Sequence, residues 1–266
     1  AAPLHHPLRI AEDALMLDWL SSGRFILGLG AGHQIADFLA YGVEHGTRTQ
    51  QLEEILHILG LCFLGEPFSH DGDFFQISAQ ITPRPYSEPR PPIWLGGHGN
   101  AGIDRAARFG DLWLADPQRH VEVVAGLAEN YRKRCQVHGT SAAVGMFREA
   151  WITNGNESAT AEWAESVVAV HRLYYNVGAY HPQFEPWAAD SLPRSEVNFD
   201  LLSPGRFLVG DGEQLRHTVN QWRDLTGVQY LALRFRHPKG PSHEATCEAL
   251  CRFGEEVIST TSGSGR

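Results

Sequence analysis

Two glycine-rich segments of the chain have the composition of phosphate-binding turns. They are residues 28–32, with the sequence GLGAG, and residues 96–102, with the sequence GGHGNAG. Each follows an apolar stretch typical of a strand and precedes a stretch that could begin a helix. Glycine lets the backbone approach an anion closely, and the start of a helix offers N–H groups and the positive end of its dipole. The spacing therefore favours phosphate binding, above all by residues 97–100.

The second segment also matches the fingerprint of a dinucleotide-binding fold. Gly97, Gly99 and Gly102 form the pattern G-x-G-x-x-G, and Asp116 follows roughly twenty residues later. Against this, the helix that follows is short and the unit lies in the middle of the chain. The first segment fails the fingerprint, because His33 stands where the last glycine would be. A nicotinamide-dependent Rossmann enzyme stays open as the alternative, beside a tight loop that binds nothing.

Composition argues against nucleic acids and anionic membranes as partners. The 266 residues are 42% hydrophobic, enough for one core, and carry a formal net charge of −9. An acidic surface is repelled by nucleic acids and by anionic membranes. The longest apolar stretch, near residues 55–64, is too short to cross a bilayer, and no signal peptide is recognisable. The four cysteines form no C-x-x-C pair, so we expect reduced packing residues, no metal site and a cytoplasmic location.

Strands alternate with helices along the chain, which predicts an α/β fold with a mainly parallel sheet. We expect strands at residues 24–29, 93–95, 112–115, 146–152 and 229–235, and a short extra piece at 206–209. We expect helices at residues 8–20, 48–64, 103–109, 120–136, 159–177, 213–225 and 244–258. Strands that are almost continuously apolar fit a sheet buried on both faces.

Five segments, in order, carry a resemblance to a known family. They are PLHHP at 3–7, SGRF at 22–25, PPIWLGG at 91–97, RAARFGDLW at 105–113 and VGD at 209–211. Together they resemble the bacterial-luciferase-like, flavin-dependent monooxygenases. Each segment is weak alone, but their order and spacing extend over nearly the whole chain.

The resemblance implies a (β/α)8 TIM barrel that binds flavin at the carboxyl ends of its strands. Such a barrel has eight strands, so residues 1–258 would form a single incomplete barrel that lacks the first two to three strands. Residues 259–266 would be a disordered tail, and this fragment alone could be inactive. The implied activity uses reduced FMN and oxygen on a small organic substrate, with a flavin reductase as partner. A deazaflavin coenzyme that moves a hydride is the implied alternative, and a homodimer is a further expectation.

The resemblance also assigns site residues. It places the flavin phosphate between two groups of residues: Ala31, Gly32 and His33, and Gly97, His98, Gly99 and Asn100. Relatives usually have a serine where His98 stands, so one hydroxyl donor is missing. His5 and His6, at the end of the third strand, and Arg148, within the seventh, would contact the substrate or the flavin. No catalytic residue is predicted, because the protein's part in such chemistry is to position the flavin and exclude water.

Overall fold

The structure is a computed structural model that describes residues 1–153, 155–190 and 192–259. The chain divides into two compact units. The first comprises Ala1–Trp113 and Tyr131–Ala142, and the second comprises Leu114–Asn130 and Ala143–Arg266. The predicted tail lies outside the described residues from residue 260 onward. The expectation of a single domain stays a prediction.

The first unit contains a parallel strand pair, a hairpin and a group of helices. Strands β1 (Leu27–Leu29) and β4 (Ile93–Gly96) are parallel, with Leu27 opposite Ile93 and Leu29 opposite Leu95. Strands β2 (Phe68–Asp71) and β3 (Gln76–Ala79) form an antiparallel hairpin. The helices and strands between residues 1 and 142 are α1 (Pro7–Ser21), β1 (Leu27–Leu29), α2 (Ile35–Tyr41), α3 (Arg48–Phe63), β2 (Phe68–Asp71), β3 (Gln76–Ala79), β4 (Ile93–Gly96), α4 (Asn100–Phe109), β5 (Leu112–Ala115) and α5 (Val121–His138). Strand β5 and helix α5 each have residues in both units.

Helices α1 and α3 form the core of the first unit. On α3, Leu52, Ile55 and Leu59 are buried at the three- and four-residue spacing of one helix face. They pack with α1, where Ala11 and Leu15 are fully buried. Small alanine side chains on α1 let the two helices approach closely.

The second unit is built on a long parallel strand, β6. Glu149 of β6 lies opposite Phe207 of β7, and Gly145 of β6 lies opposite Tyr230 of β8. A capping box, in which Asp211 and Gln214 exchange side-chain and backbone hydrogen bonds, begins α8. The elements of this unit are β6 (Ala143–Ile152), α6 (Glu157–Asn176), α7 (Phe199–Leu202), β7 (Phe207–Gly210), α8 (Gly212–Thr226), β8 (Tyr230–Arg234) and α9 (His243–Phe253), which continues as a π-helical turn, Gly254–Ile258.

The parallel strand pairs confirm the α/β expectation, whereas the predicted loss of barrel strands stays a prediction. The expected strand at 24–29 was wrong in length and burial. Strand β1 spans only Leu27–Leu29, and none of its residues is buried. The reason lies at the end of α1, where Gly23 has a φ of +79° and Arg24 donates from Nε to the Ser21 carbonyl at 2.8 Å. This turn occupies the residues that would have extended the strand.

The expectation that all four cysteines pack inside was also wrong. Cys62 and Cys135 are buried, but Cys247 and Cys251 are exposed free thiols. They lie one turn apart on α9, whose buried face is formed by Thr246, Ala249 and Phe253. No helix of the described residues is long and apolar enough to cross a membrane.

Candidate functional site

The two glycine turns predicted from the sequence leave adjacent strands of the first unit. Because Leu29 lies opposite Leu95, β1 and β4 end at the same edge of the sheet. Residues 31–33 and residues 97–100 therefore lie in the loops that follow the carboxyl ends of these two strands. Ligands of parallel α/β sheets bind at the carboxyl ends of the strands, so a cofactor is expected at this edge.

The second turn leads directly into helix α4. Gly99 is the residue that caps the helix, and the first helical hydrogen bond runs from the Ile103 N–H to the Gly99 carbonyl at 3.0 Å. The first turn of an α-helix carries the positive end of its dipole and directs backbone N–H groups outward, so the start of α4 is a common kind of anion site. A Cβ added to Gly99 would meet no heavy atom within 4 Å, so space is open beside it.

Glycine at position 97 is required by the backbone. Gly97 has a φ of +137°, and a Cβ there would lie 3.0 Å from the Gly102 Cα. Its carbonyl accepts a 2.7 Å hydrogen bond from the Trp113 indole N–H. Trp113 is fully buried, and it therefore fixes the turn from the core side.

Packing explains the glycine of the first turn. Gly32 has a φ of +76°, and a Cβ there would lie 2.9 Å from the Ala1 Cβ and 3.0 Å from the Phe38 ring. The Ala2 N–H donates to the Gly30 carbonyl at 3.0 Å and holds the N-terminal segment against this turn. A phosphate contact by residues 31–33 stays a prediction.

His5 and His6 line a groove of about 400 Å³ in the first unit. His6 also caps α1, because its Nδ1 accepts from the Leu8 N–H at 3.3 Å, and its ring packs edge-on against Phe75. His5 lies edge-on to Tyr41. Other residues lining the groove are Pro3, Leu4, Glu44, Gln51 and Phe74. A structural capping role for His6 thus coexists with a position on a surface that could receive a ligand.

In the second unit, a buried carboxylate collects polar side chains from three elements. Glu149 of β6 has no exposed surface. It accepts hydrogen bonds from His171 Nε2 at 3.3 Å and from His237 Nε2 at 2.8 Å. Arg234 donates twice, from Nε at 3.0 Å and from Nη2 at 2.5 Å. We call these four residues the Glu149 cluster.

The hydrogen bonds of this cluster define its protonation. Burial acts to raise the pKa of Glu149, but hydrogen bonds from His171, His237 and Arg234 outweigh it and hold that pKa well below the ordinary value. Burial lowers the pKa of His171, which favours the neutral ring. A neutral His171 that donates from Nε2 to Glu149 leaves Nδ1 to accept from the Tyr180 hydroxyl.

Arg148, predicted as a ligand contact, has no exposed surface in the second unit. Its Nη1 donates to the Asp116 carbonyl at 2.7 Å and to the Phe147 carbonyl at 3.0 Å. Burial lowers the pKa of this guanidinium to about 10. A ligand role for Arg148 stays a prediction.

Sequence reasoning singled out Arg148 but missed the partners of its neighbour Glu149. His171, Arg234 and His237 lie 22, 85 and 88 positions further along the chain. No local motif joins residues so far apart, and the fourteen histidines of the chain gave no reason to select these two. The one available signal was the position of Arg234 near the end of an apolar strand.

The sequence model of the luciferase-like monooxygenase family matches residues 1–229. The chain belongs to this family.

The oxygenase component of the flavin-dependent trigonelline monooxygenase of Acinetobacter baylyi is 30% identical to this chain over 214 residues. These cover 76% of this chain and 54% of the relative. The chain thus spans about half the length of this curated relative.

Several solved structures share the fold. Monooxygenase RslO1 from Streptomyces bottropensis matches 97% of this chain and 76% of its own, with a TM-score of 0.80 and 19% identity. The oxygenating constituent of 3,6-diketocamphane monooxygenase from Pseudomonas putida, in complex with FMN, matches 97% and 76%, with a TM-score of 0.75 and 16% identity. An F420-dependent secondary alcohol dehydrogenase matches 96% and 75%, with a TM-score of 0.73 and 15% identity. At these identities the likeness concerns the fold alone.

Proposed function

We propose that the chain is the flavin-binding part of an oxygenase that uses reduced FMN and dioxygen on a small organic molecule. The observation that carries the proposal is the open space at Gly99, at the start of α4 and beside the end of β1. A phosphate group fits there, because a backbone without a side chain and the positive end of a helix both face it. Family membership and the flavin-dependent relative support the same assignment.

The residues of the chain would bind and orient, while reduced FMN would supply the electrons that activate oxygen. In this proposal residues 97–100 hold the phosphate, with His98 in place of a hydroxyl donor, and residues 31–33 border it. Trp113 fixes the Gly97 carbonyl and so the direction of the turn. The groove lined by His5 and His6 receives either the substrate or the flavin ring. A separate flavin reductase would deliver the reduced cofactor, because the Acinetobacter baylyi relative is the oxygenase component of a flavin-dependent monooxygenase.

The substitution Gly99→Val tests the proposal. The valine side chain would fill the space assigned to phosphate oxygens, and FMN affinity should fall at least tenfold, about 1.4 kcal/mol. Affinity is measured by fluorescence titration, with riboflavin, which lacks the phosphate, as the comparison ligand. The matched control is Gly60→Val, because a Cβ at Gly60 also meets no heavy atom within 4 Å.

Two outcomes would remove the glycine turn from the site. One is unchanged FMN affinity in a folded Gly99→Val protein, and the other is an equal loss for riboflavin and FMN. Urea unfolding of both variants shows whether the change at the helix cap has altered stability, since a poor N-cap residue costs about 1 kcal/mol.

A deazaflavin-dependent hydride transfer is the second candidate, because an F420-dependent dehydrogenase shares the fold. Parallel titrations with FMN and with the deazaflavin coenzyme separate the two. Tighter binding of FMN supports the oxygenase, and tighter binding of the deazaflavin supports the dehydrogenase.

A further inference from the structure

Arg234 is the last residue of β8 and projects a charge where that parallel strand ends. It lies opposite Glu149 of β6. Its side chain is 28% exposed, whereas the carboxylate it binds is 0% exposed. In parallel α/β folds, side chains at the carboxyl ends of strands commonly contact ligands. Arg234 is thus the member of the Glu149 cluster that reaches solvent.

The guanidinium of Arg234 is held in one orientation. Its Nε and Nη2 form a fork with the two carboxylate oxygens of Glu149, and its Cζ lies 5.0 Å from the centre of the Phe147 ring. His171 and His237 hold the carboxylate in turn. A fork of this kind uses one edge of the guanidinium and directs Nη1 away from Glu149.

A second hydrogen-bonding group lies beside this guanidinium. Burial acts to lower the pKa of Arg234, but the Glu149 carboxylate and the nearby Tyr174 hydroxyl raise it above the ordinary arginine value. Tyr174 lies on α6, is half-buried, and packs edge-on against the His171 ring. The cation is therefore permanent, and a phenol hydroxyl stands next to it.

Stability alone does not account for this arrangement. Burying a carboxylate costs several kcal/mol, and well-packed apolar residues of similar volume often stabilise a core as well or better. A partly exposed arginine that is held by a fully buried carboxylate is instead the arrangement that preorganises a binding residue.

We propose that Arg234 binds the carboxylate of an acidic organic substrate, and that Glu149 is the residue that positions it. A guanidinium suits a carboxylate, because its planar donors match two oxygens at once. The inference rests on the proposed function, which assigns the phosphate of FMN to residues 97–100 and leaves the class of the small organic substrate open.

The test compares charged and neutral probes in the full chain. Benzoate and benzyl alcohol differ in the carboxylate, and FMN and riboflavin differ in the phosphate. We expect Arg234→Leu to reduce the binding preference for benzoate over benzyl alcohol at least tenfold, and Arg234→Lys to restore part of it. The binding preference for FMN over riboflavin should stay unchanged in both variants. The control Arg223→Leu removes a 57% exposed arginine of the same unit and should change neither preference.

The two pairs separate a substrate role from a flavin role. A reduced benzoate preference with an unchanged FMN preference supports the assignment of Arg234 to an acidic substrate. If the benzoate preference survives in Arg234→Leu, or if only the FMN preference falls, the inference is overturned. The proposed function would then still stand, because it depends on Gly99→Val and not on this residue.

A measurement on the unsubstituted protein covers the case in which Arg234→Leu does not fold. Phenylglyoxal modifies accessible arginines, and mass spectrometry locates the product. Benzoate should slow modification of Arg234 at least tenfold while leaving Arg223 unaffected, whereas benzyl alcohol should not slow it. Equal modification of Arg234 in the presence and absence of benzoate contradicts the inference.

Discussion

The glycine turn of the first unit and the Glu149 cluster of the second are built in opposite ways. The turn uses backbone groups of a short segment, residues 97–102, and needs the absence of side chains. The cluster uses polar side chains that come together from β6, α6, β8 and the loop after β8. A site made of backbone is written in consecutive residues, whereas a site made of side chains exists only after folding.

Substitutions in the two regions should also affect folding stability differently. A side chain added at Gly99 would fill the open space beside the turn without clashing with other residues. Removing a member of the cluster leaves buried polar groups without partners, which costs folding stability.

The largest effect is expected for Glu149→Leu. His171, His237 and Arg234 would lose their shared acceptor, and breaking a buried charge pair typically costs about 3–5 kcal/mol. Urea denaturation measures the loss in the free energy of unfolding. The value for Glu149→Gln should lie between those of Glu149→Leu and the unsubstituted protein. The control Glu165→Ala, on the exposed face of α6, should stay within about 0.5 kcal/mol of the original. A similarly small effect of Glu149→Leu would show that the cluster is not a stabilising centre.

A smaller loss is expected for Asp18→Ala in the first unit. The buried Asp18 carboxylate accepts from the backbone N–H groups of Tyr86 and Ser87, both at 2.9 Å, and from the Ser87 hydroxyl at 2.6 Å. Its removal should cost about 2 kcal/mol, because partly buried donors lose a charged acceptor. Asp13→Ala, whose side chain is 62% exposed, is the matched control. Equal urea midpoints for the two variants would contradict this assignment.

A pH series sharpens the account of the second unit. The folded pKa of Glu149 is lowered, so its contribution is present above the unfolded value of about 4.3 and is lost as pH falls below it. The lowered pKa of His171 acts in the same direction, beginning below about 6.5, because the unfolded ring binds a proton that the folded ring does not. Stability should therefore fall on acidification, and less steeply in Glu149→Gln. Identical slopes below pH 4 would rule out Glu149 as a source of the dependence.

The sequence predicted elements well where periodicity was strong and neighbours were local. The strand at 112–115 has the predicted bounds, and α3 differs from its prediction by one residue. Helix α2 and the hairpin of β2 and β3 were missed, since short elements have too few turns or alternations to show a period.

The candidate site was predictable to the same extent. Residues 97–100 stand in a helix-opening turn as expected, because glycine spacing constrains the backbone directly. The Glu149–Arg234 pair was not predictable, because strand register decides which of many charged residues meet. The burial of Arg148 likewise follows from tertiary packing, and the residues next to it in the sequence do not indicate it.

Amide hydrogen exchange during flavin binding tests directly whether the glycine turn at residues 97–102 binds the flavin phosphate. Saturating FMN should slow exchange of the N–H groups at residues 99–102, at the start of α4, because phosphate oxygens would accept from them. Saturating riboflavin should leave these amides unchanged. If FMN binds and exchange at residues 99–102 stays as fast as in the free protein, the glycine turn is not the phosphate site.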